Sequence, residues 1–324
     1  RRWTCCPRSR VGDPPSDQLA SHPRVGVERI HDAGTYTRVT HVGGVGDLRF
    51  VLVPGIGMGV GIFERLAPRL LPHGRVHALD LPGFAGIRLH DDPLDIDEYA
   101  DIVIRAMEVR GLRDVVLIGH SMGSQVVTSA ACRGANLRGV VLISPVVAPW
   151  QRRFVLVAID FVRSSMHEPP GVALLGAISY AFTGLRSFFR TMPRMLAYRM
   201  EDRIGEAAAP VLIVRGTRDR VSPAAWTTML RDRARDAEVV EVAGAAHSVM
   251  HQHATSVADR IISFAGVSSP SPRTDRSRWT VRLRAHAVMA RTREMVAIVR
   301  GDDRALARAK TSRIRAALAA GEAG

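Results

Sequence analysis

Apolar positions along the chain follow two alternating rhythms. Leu48–Val53 (LRFVLV), Arg75–Leu79 (RVHAL), Val115–Ile118, Val140–Ile143, Val211–Val214 and Glu238–Val242 are short apolar runs of the length and composition of strands. Between them, Ile62–Leu71, Ile96–Arg110 and Met122–Cys132 carry apolar residues at helical spacing. Strands that alternate with helices predict βαβ crossovers, and therefore a mostly parallel sheet with helices on both faces. Residues 148–206 break the rhythm. They are helical in pattern, rich in Leu, Phe, Met and Arg, and sit between two strands as an insertion.

This pattern divides the chain into three expected parts. Residues 1–35 carry Pro, Arg, Ser and Asp and read as a disordered or loosely packed lead. Residues 36–268 hold the alternating elements, with the insertion inside them. The run Ser268-Ser269-Pro270-Ser271-Pro272 reads as a linker, because its prolines lack a donor and disfavour helix in the residue before them. Residues 269–324 then form a basic tail. Within it Val281, Ala285, Val288, Thr292, Met295 and Val299 fall on one helical stripe, as in a weakly amphipathic helix.

Charge sharpens the division. The 324 residues carry a formal +14, and its ends hold most of it: residues 1–30 have six Arg against three acids, and residues 271–324 have thirteen Arg or Lys against five. The middle reads as an ordinary soluble domain. The tail is expected to dock on the protein or remain disordered, with weak contact to anionic surfaces as its one partner-type property; no specific nucleic acid is expected. Cys5, Cys6 and Cys132 supply no disulfide framework and no paired metal ligands. The first residues lack the apolar core of a signal peptide and no run is long enough to span a bilayer, so a cytoplasmic location is expected.

Chemistry enters at residues 115–124, VVLIGHSMGS. An apolar strand ends in Gly119-x-Ser121-x-Gly123 and a helix follows. A serine at such a strand–helix turn is held in a strained conformation, and the flanking glycines bring no Cβ against the neighbouring strand and helix. The helix N-terminus offers partial positive charge to an anion formed at Ser121 Oγ. Three further motifs accompany it: PGIGMG at 54–59 after the first strong strand, DLPGFAG at 80–86, and VLIVRGTRDRVSP at 211–223. A fourth, EVAGAAHS at 241–248, places His247 after the last strand.

Together these motifs resemble those of the α/β-hydrolase-fold serine hydrolases, over roughly residues 36–266. The resemblance implies the α/β-hydrolase fold, with residues 148–206 as a helical lid. It also implies a triad in the order Ser121, Asp219, His247, with Ser121 as nucleophile, His247 as general base and Asp219 as its orienting acid. The backbone N–H groups of Ile56 and Met122 would form the oxyanion hole. Pro54 stands where the family often has histidine, and the 80–86 turn has one extra residue before its last glycine; Asp80 is expected to be structural. The implied reaction is cleavage of a carboxylic ester or related acyl bond of a small apolar substrate through an acyl-enzyme, without a cofactor. C–C bond hydrolysis by the same triad, or small-molecule binding without turnover, are the alternatives. His247, His251 and His253 have a spacing that suggests metal binding, but no carboxylate or cysteine is evident to complete a site, and none is expected.

Overall fold

The computed structural model describes residues 25–32, 35–168, 186–267 and 281–322. Eight strands form one sheet in the order β1-β2-β4-β3-β5-β6-β7-β8. They are β1 (Val25–Asp32), β2 (Thr35–Val42), β3 (Leu48–Val53), β4 (Gly74–Asp80), β5 (Val115–His120), β6 (Leu137–Ile143), β7 (Val211–Gly216) and β8 (Ala237–Val242). From β4 to β8 every neighbouring pair is parallel, whereas β1–β2 and β2–β4 are antiparallel. The six predicted strands are all present, each within three residues of its expected limits.

Two strands were not foreseen. β1 lies inside the segment expected to be a loose lead, so the folded part of the chain includes Val25–Asp32. It pairs with β2 from Val25↔Val42 to Asp32↔Thr35. Its apolar positions, Val25, Val27 and Ile30, are too sparse to announce a strand, and only the pairing with β2 makes them useful. The predicted helix over Ile62–Leu71 is also replaced, by the short helical turns Val60–Phe63, Ala67–Leu70 and Leu71–His73. Pro68 and Pro72 each lack the N–H that a continuing helix needs.

The longer helices are α1 (Ile96–Val109), α2 (Met122–Cys132), α3 (Phe154–Ser165), α4 (residues 186–197), α5 (Ala224–Arg233), α6 (Ala254–Phe264), α7 (Val281–Arg300) and α8 (Asp303–Glu322). Helix α1 starts at a capping box, in which Asp95 Oδ1 accepts the Glu98 N–H at 2.8 Å and Glu98 Oε2 accepts the Asp95 N–H at 2.7 Å. The apolar core lies on both faces of the sheet: Val51, Leu117, Leu142 and Ile213 pack toward α1 and α2 on one, and Phe50, Val116, Val141 and Leu212 toward α6 on the other. Central strands buried on both sides explain why these runs are continuously apolar.

The insertion at 148–206, expected to be a lid, contributes α3, α4 and the turns Met200–Arg203 and Ile204–Glu206; its residues 169–185 lie outside the described part. The basic tail forms an antiparallel hairpin of α7 and α8 rather than one helix. The hairpin packs on the β1 edge, where Val25 N–H donates to Thr311 Oγ1 at 3.3 Å and Arg29 binds both Gly301 O at 2.8 Å and Asp303.

Candidate active site

Ser121 occupies the turn between β5 and α2 with φ 55° and ψ −121°, a backbone region that a residue with a Cβ rarely enters. Three glycines make room for it. A Cβ on Gly119 would lie 2.3 Å from Gly123 O, and one on Gly123 would lie 2.2 Å from Val53 O. A Cβ on Gly55 would come within 2.9 Å of Ser121 Cβ, so the 54–59 loop runs directly beside the serine. The turn is anchored where Ser121 N–H donates to Ile143 O at 3.0 Å and Ser124 Oγ donates to Gly119 O at 3.0 Å.

Met122 is the first residue of α2, so its N–H is one of the donors that the helix itself leaves without an acceptor. Ile56 follows β3 by three residues, in a turn closed by Met58 N–H donating to Gly55 O at 3.1 Å. The loop is held from behind by Asp80. Its Oδ1 accepts the Val60 N–H at 2.7 Å and its Oδ2 sits 3.3 Å from Arg38 Nη1, with both side chains buried. Asp80 therefore braces the 54–59 loop instead of bonding the N–H groups of its own turn.

Asp219 follows β7 and His247 follows β8, and parallel register brings both strand ends to the same side of the sheet as Ser121. His247 Nδ1 lies 2.9 Å from Asp219 Oδ2, and both side chains are buried. Asp219 Oδ1 accepts the N–H groups of Val221 at 2.9 Å and Ser222 at 3.1 Å. Burial acts to raise the Asp219 carboxyl, but the adjacent imidazole and these donors outweigh it and bring it to about 2. Burial acts to lower His247, yet Asp219 holds it above its ordinary value. A carboxylate that stays ionised thus fixes Nδ1 as the protonated nitrogen, leaving Nε2 free to accept a proton.

His120 was only the variable position of the Gly-x-Ser-x-Gly pattern in sequence, but its ring sits 5.0 Å from the His247 ring. Its Nε2 lies 3.3 Å from the His247 carbonyl oxygen, and burial pushes it down to about 3, so it is neutral and donates there. Ser121 is the next residue in the chain. Among the described residues Ser121 Oγ makes no hydrogen bond. Such bonds are often long without substrate and tighten in the complex.

The lid reaches this site at three points that sequence could not supply. Phe161 meets the His247 ring edge-on with centroids 6.3 Å apart. Ser164 Oγ accepts the Arg220 N–H at 2.8 Å and lies 3.4 Å from Asp219 Oδ1. Glu168 accepts the Ser248 N–H at 2.6 Å and the Gln252 amide at 2.7 Å, immediately after His247. None of these has a motif; each is a contact between segments dozens of residues apart.

His251, the second histidine of the run that began at His247, turns away to Glu64, with Nε2 3.1 Å from Glu64 Oε1. Glu64 also takes Arg291 at 2.6 Å and Arg313 at 3.0 Å from the C-terminal hairpin. Burial acts to raise the Glu64 carboxyl, but His251 and the two guanidinium groups hold it well below the carboxylate range. Among the described residues no group of three or more His, Cys, Asp or Glu is arranged to hold a metal ion, and no helix is long and apolar enough to cross a membrane.

A family model described as "Alpha/beta hydrolase family" matches residues 50–260, and the chain belongs to that family. It is similar to the pimeloyl-[acyl-carrier protein] methyl ester esterase of Yersinia enterocolitica, 23% identical over 269 residues that cover 70% of this chain and 96% of the relative. The enzyme of the same name from Xanthomonas campestris is 26% identical over 244 residues, covering 66% and 93%. Among solved structures, a hydrolase from Pseudomonas aeruginosa superposes with a TM-score of 0.65 at 17% identity, over 74% of this chain and 98% of that one. The last likeness concerns fold, and it agrees with the mostly parallel eight-stranded sheet and flanking helices.

Proposed function

We propose that the protein is a serine hydrolase that cleaves a carboxylic ester through Ser121, His247 and Asp219. The observation that carries this reading is Ser121 at a strained strand–helix turn, one residue after His120, whose ring faces His247 of the buried His247–Asp219 pair. His247 Nε2 takes the Ser121 Oγ proton as the oxygen attacks the ester carbonyl carbon. The negative charge moves to the former carbonyl oxygen, which the N–H groups of Ile56 and Met122 receive. His247 then protonates the departing alcohol, and an acyl-enzyme remains. Water, deprotonated by His247, attacks the acyl carbon; Ser121 leaves with the proton returned, and the acid is released.

The curated relatives act on a methyl ester, and that bond type is the one we carry over. The insertion supports an apolar acyl part, since Phe161 presents its ring to the His247 edge of the site. A fluorophosphonate probe should label the protein once, and Ser121→Ala should abolish both labelling and hydrolysis of p-nitrophenyl esters. Persistent labelling of the alanine variant would remove Ser121 from its role.

A further inference from the structure

Helix α7 packs against the protein with an unexpected side. Among its described side chains Ala290, Glu294 and Ala297 are buried, and Ile298 reaches Gly86 so closely that a Cβ there would lie 2.5 Å from Ile298 Cγ2. Of the stripe read from the sequence, Val288, Thr292 and Val299 face the other way. Val288 is 65% exposed and Val299 74%, and Met289, Thr292 and Val296 are exposed with them. At 100° per residue these five positions span about a third of the helix circumference, one continuous outward band. Arg293 and Arg300, both exposed, continue its edge.

Charge is sorted by the same division. The inward cations have acids: Arg291 and Arg313 bind Glu64, and Arg313 also binds Glu294 at 3.0 Å. The exposed Arg293, Arg300, Arg308 and Arg315 have no acidic partner among the described residues. Arg293, Arg300 and Arg308 line one shallow groove between α7 and α8, and Arg308 and Arg315 line another. Asp302, the acid at the first groove, is engaged in capping α8 through the Ala305 N–H at 2.9 Å.

We propose that this outer face of the α7–α8 hairpin docks on an anionic lipid bilayer, with the valine–methionine band at the level of the upper acyl chains and the arginines at the headgroup phosphates. An exposed apolar band beside uncompensated arginines is the composition of a helix that lies in a membrane interface. A second copy of the chain would set these arginines against their own kind. A nucleic acid would satisfy the arginines and leave the valines in water. A bilayer satisfies both.

The test is co-sedimentation of the full chain with vesicles of phosphatidylglycerol and phosphatidylcholine, compared with phosphatidylcholine alone. Binding is expected only to the anionic vesicles, and it should weaken as salt is raised. Each arginine near such a surface changes binding by roughly fivefold, so the quadruple variant R293Q/R300Q/R308Q/R315Q should lose about 100-fold or more in partitioning. V288S/V299S should also bind more weakly, with its salt dependence retained. These side chains are exposed, so ester hydrolysis of a soluble substrate should stay at the parent level in both variants and serves as the check on folding. Equal binding to neutral vesicles, no binding to anionic ones, full binding by the quadruple variant, or displacement by duplex DNA with no effect of V288S/V299S would each overturn the proposal. The vesicle readout does not depend on turnover, so a failure of the hydrolase reading would be seen separately.

Discussion

The insertion and the C-terminal hairpin are both helical and both rich in arginine and apolar residues. They meet the site from different sides. The lid touches the candidate reacting groups, through Phe161 at His247 and Ser164 at Asp219. The hairpin touches what lies behind them, through Arg291 and Arg313 at Glu64, which also binds His251. Glu64 caps the helical turn after the 54–59 loop, and His251 lies four residues past His247. Similar composition thus meets the candidate site in one region and the scaffold behind it in the other. What decides is which side of each helix the neighbouring strands leave open.

If that contrast holds, changes on the lid side should move turnover, and changes on the hairpin side should move stability. The largest effect is expected at the pair that the insertion touches. His247→Ala should lower kcat by several orders of magnitude and Asp219→Asn by up to about 10,000-fold, with kcat measured on a soluble p-nitrophenyl ester. An Asp219→Asn variant with near-parent kcat would mean that another carboxylate orients His247.

On the other side, Glu64→Gln leaves Arg291 and Arg313 facing each other without their shared anion. Breaking such a partly buried cluster costs about 3 kcal/mol, or roughly 6 °C or more in Tm, read by thermal unfolding. The effect has a pH signature. The folded carboxyl titrates below its unfolded value near 4.3, so its stabilisation is present above that pH and is lost as pH falls toward the folded value. The parent should therefore lose stability in that acid window more steeply than the Gln variant. A chain ended after residue 267 should show a loss of stability at least as large. If it instead melts like the full protein, the hairpin is an appendage and the contrast fails.

A finer check is the pH dependence of kcat/KM. His247 must be neutral to accept the serine proton, and Asp219 holds it above the ordinary histidine value near 6.5. Activity should rise with pH through an inflection above 6.5, and that inflection should move down in Asp219→Asn, measured on whatever activity survives. The smallest effect is expected for Ser164→Ala. Its bond toward Asp219 is long at 3.4 Å, so kcat should fall only by about two- to fivefold with a stability change within about 1 kcal/mol. A large loss of stability with unchanged kcat would place Ser164 with the hairpin type of contact.

Much of this molecule could be read from local pattern. The central strands announced themselves because burial on both faces demands an unbroken apolar run, and Gly119-x-Ser121-x-Gly123 because a crowded turn excludes every side chain at its flanks. The grouping of Ser121, Asp219 and His247 came from the family resemblance that these motifs carry, and the fold brings His247 against Asp219. Local pattern failed where a residue's role depends on a partner far away. β1 is a strand only because β2 lies beside it, and His120 matters only because β8 returns the chain to its ring. The clearest case is α7. Its valines marked a stripe, but periodicity states only that one face differs from the other, not which face the protein takes. Tertiary structure took the opposite one, because the small side chains of Ala290 and Ala297 allow close approach and Arg291 can reach Glu64, whereas the valine face offers neither.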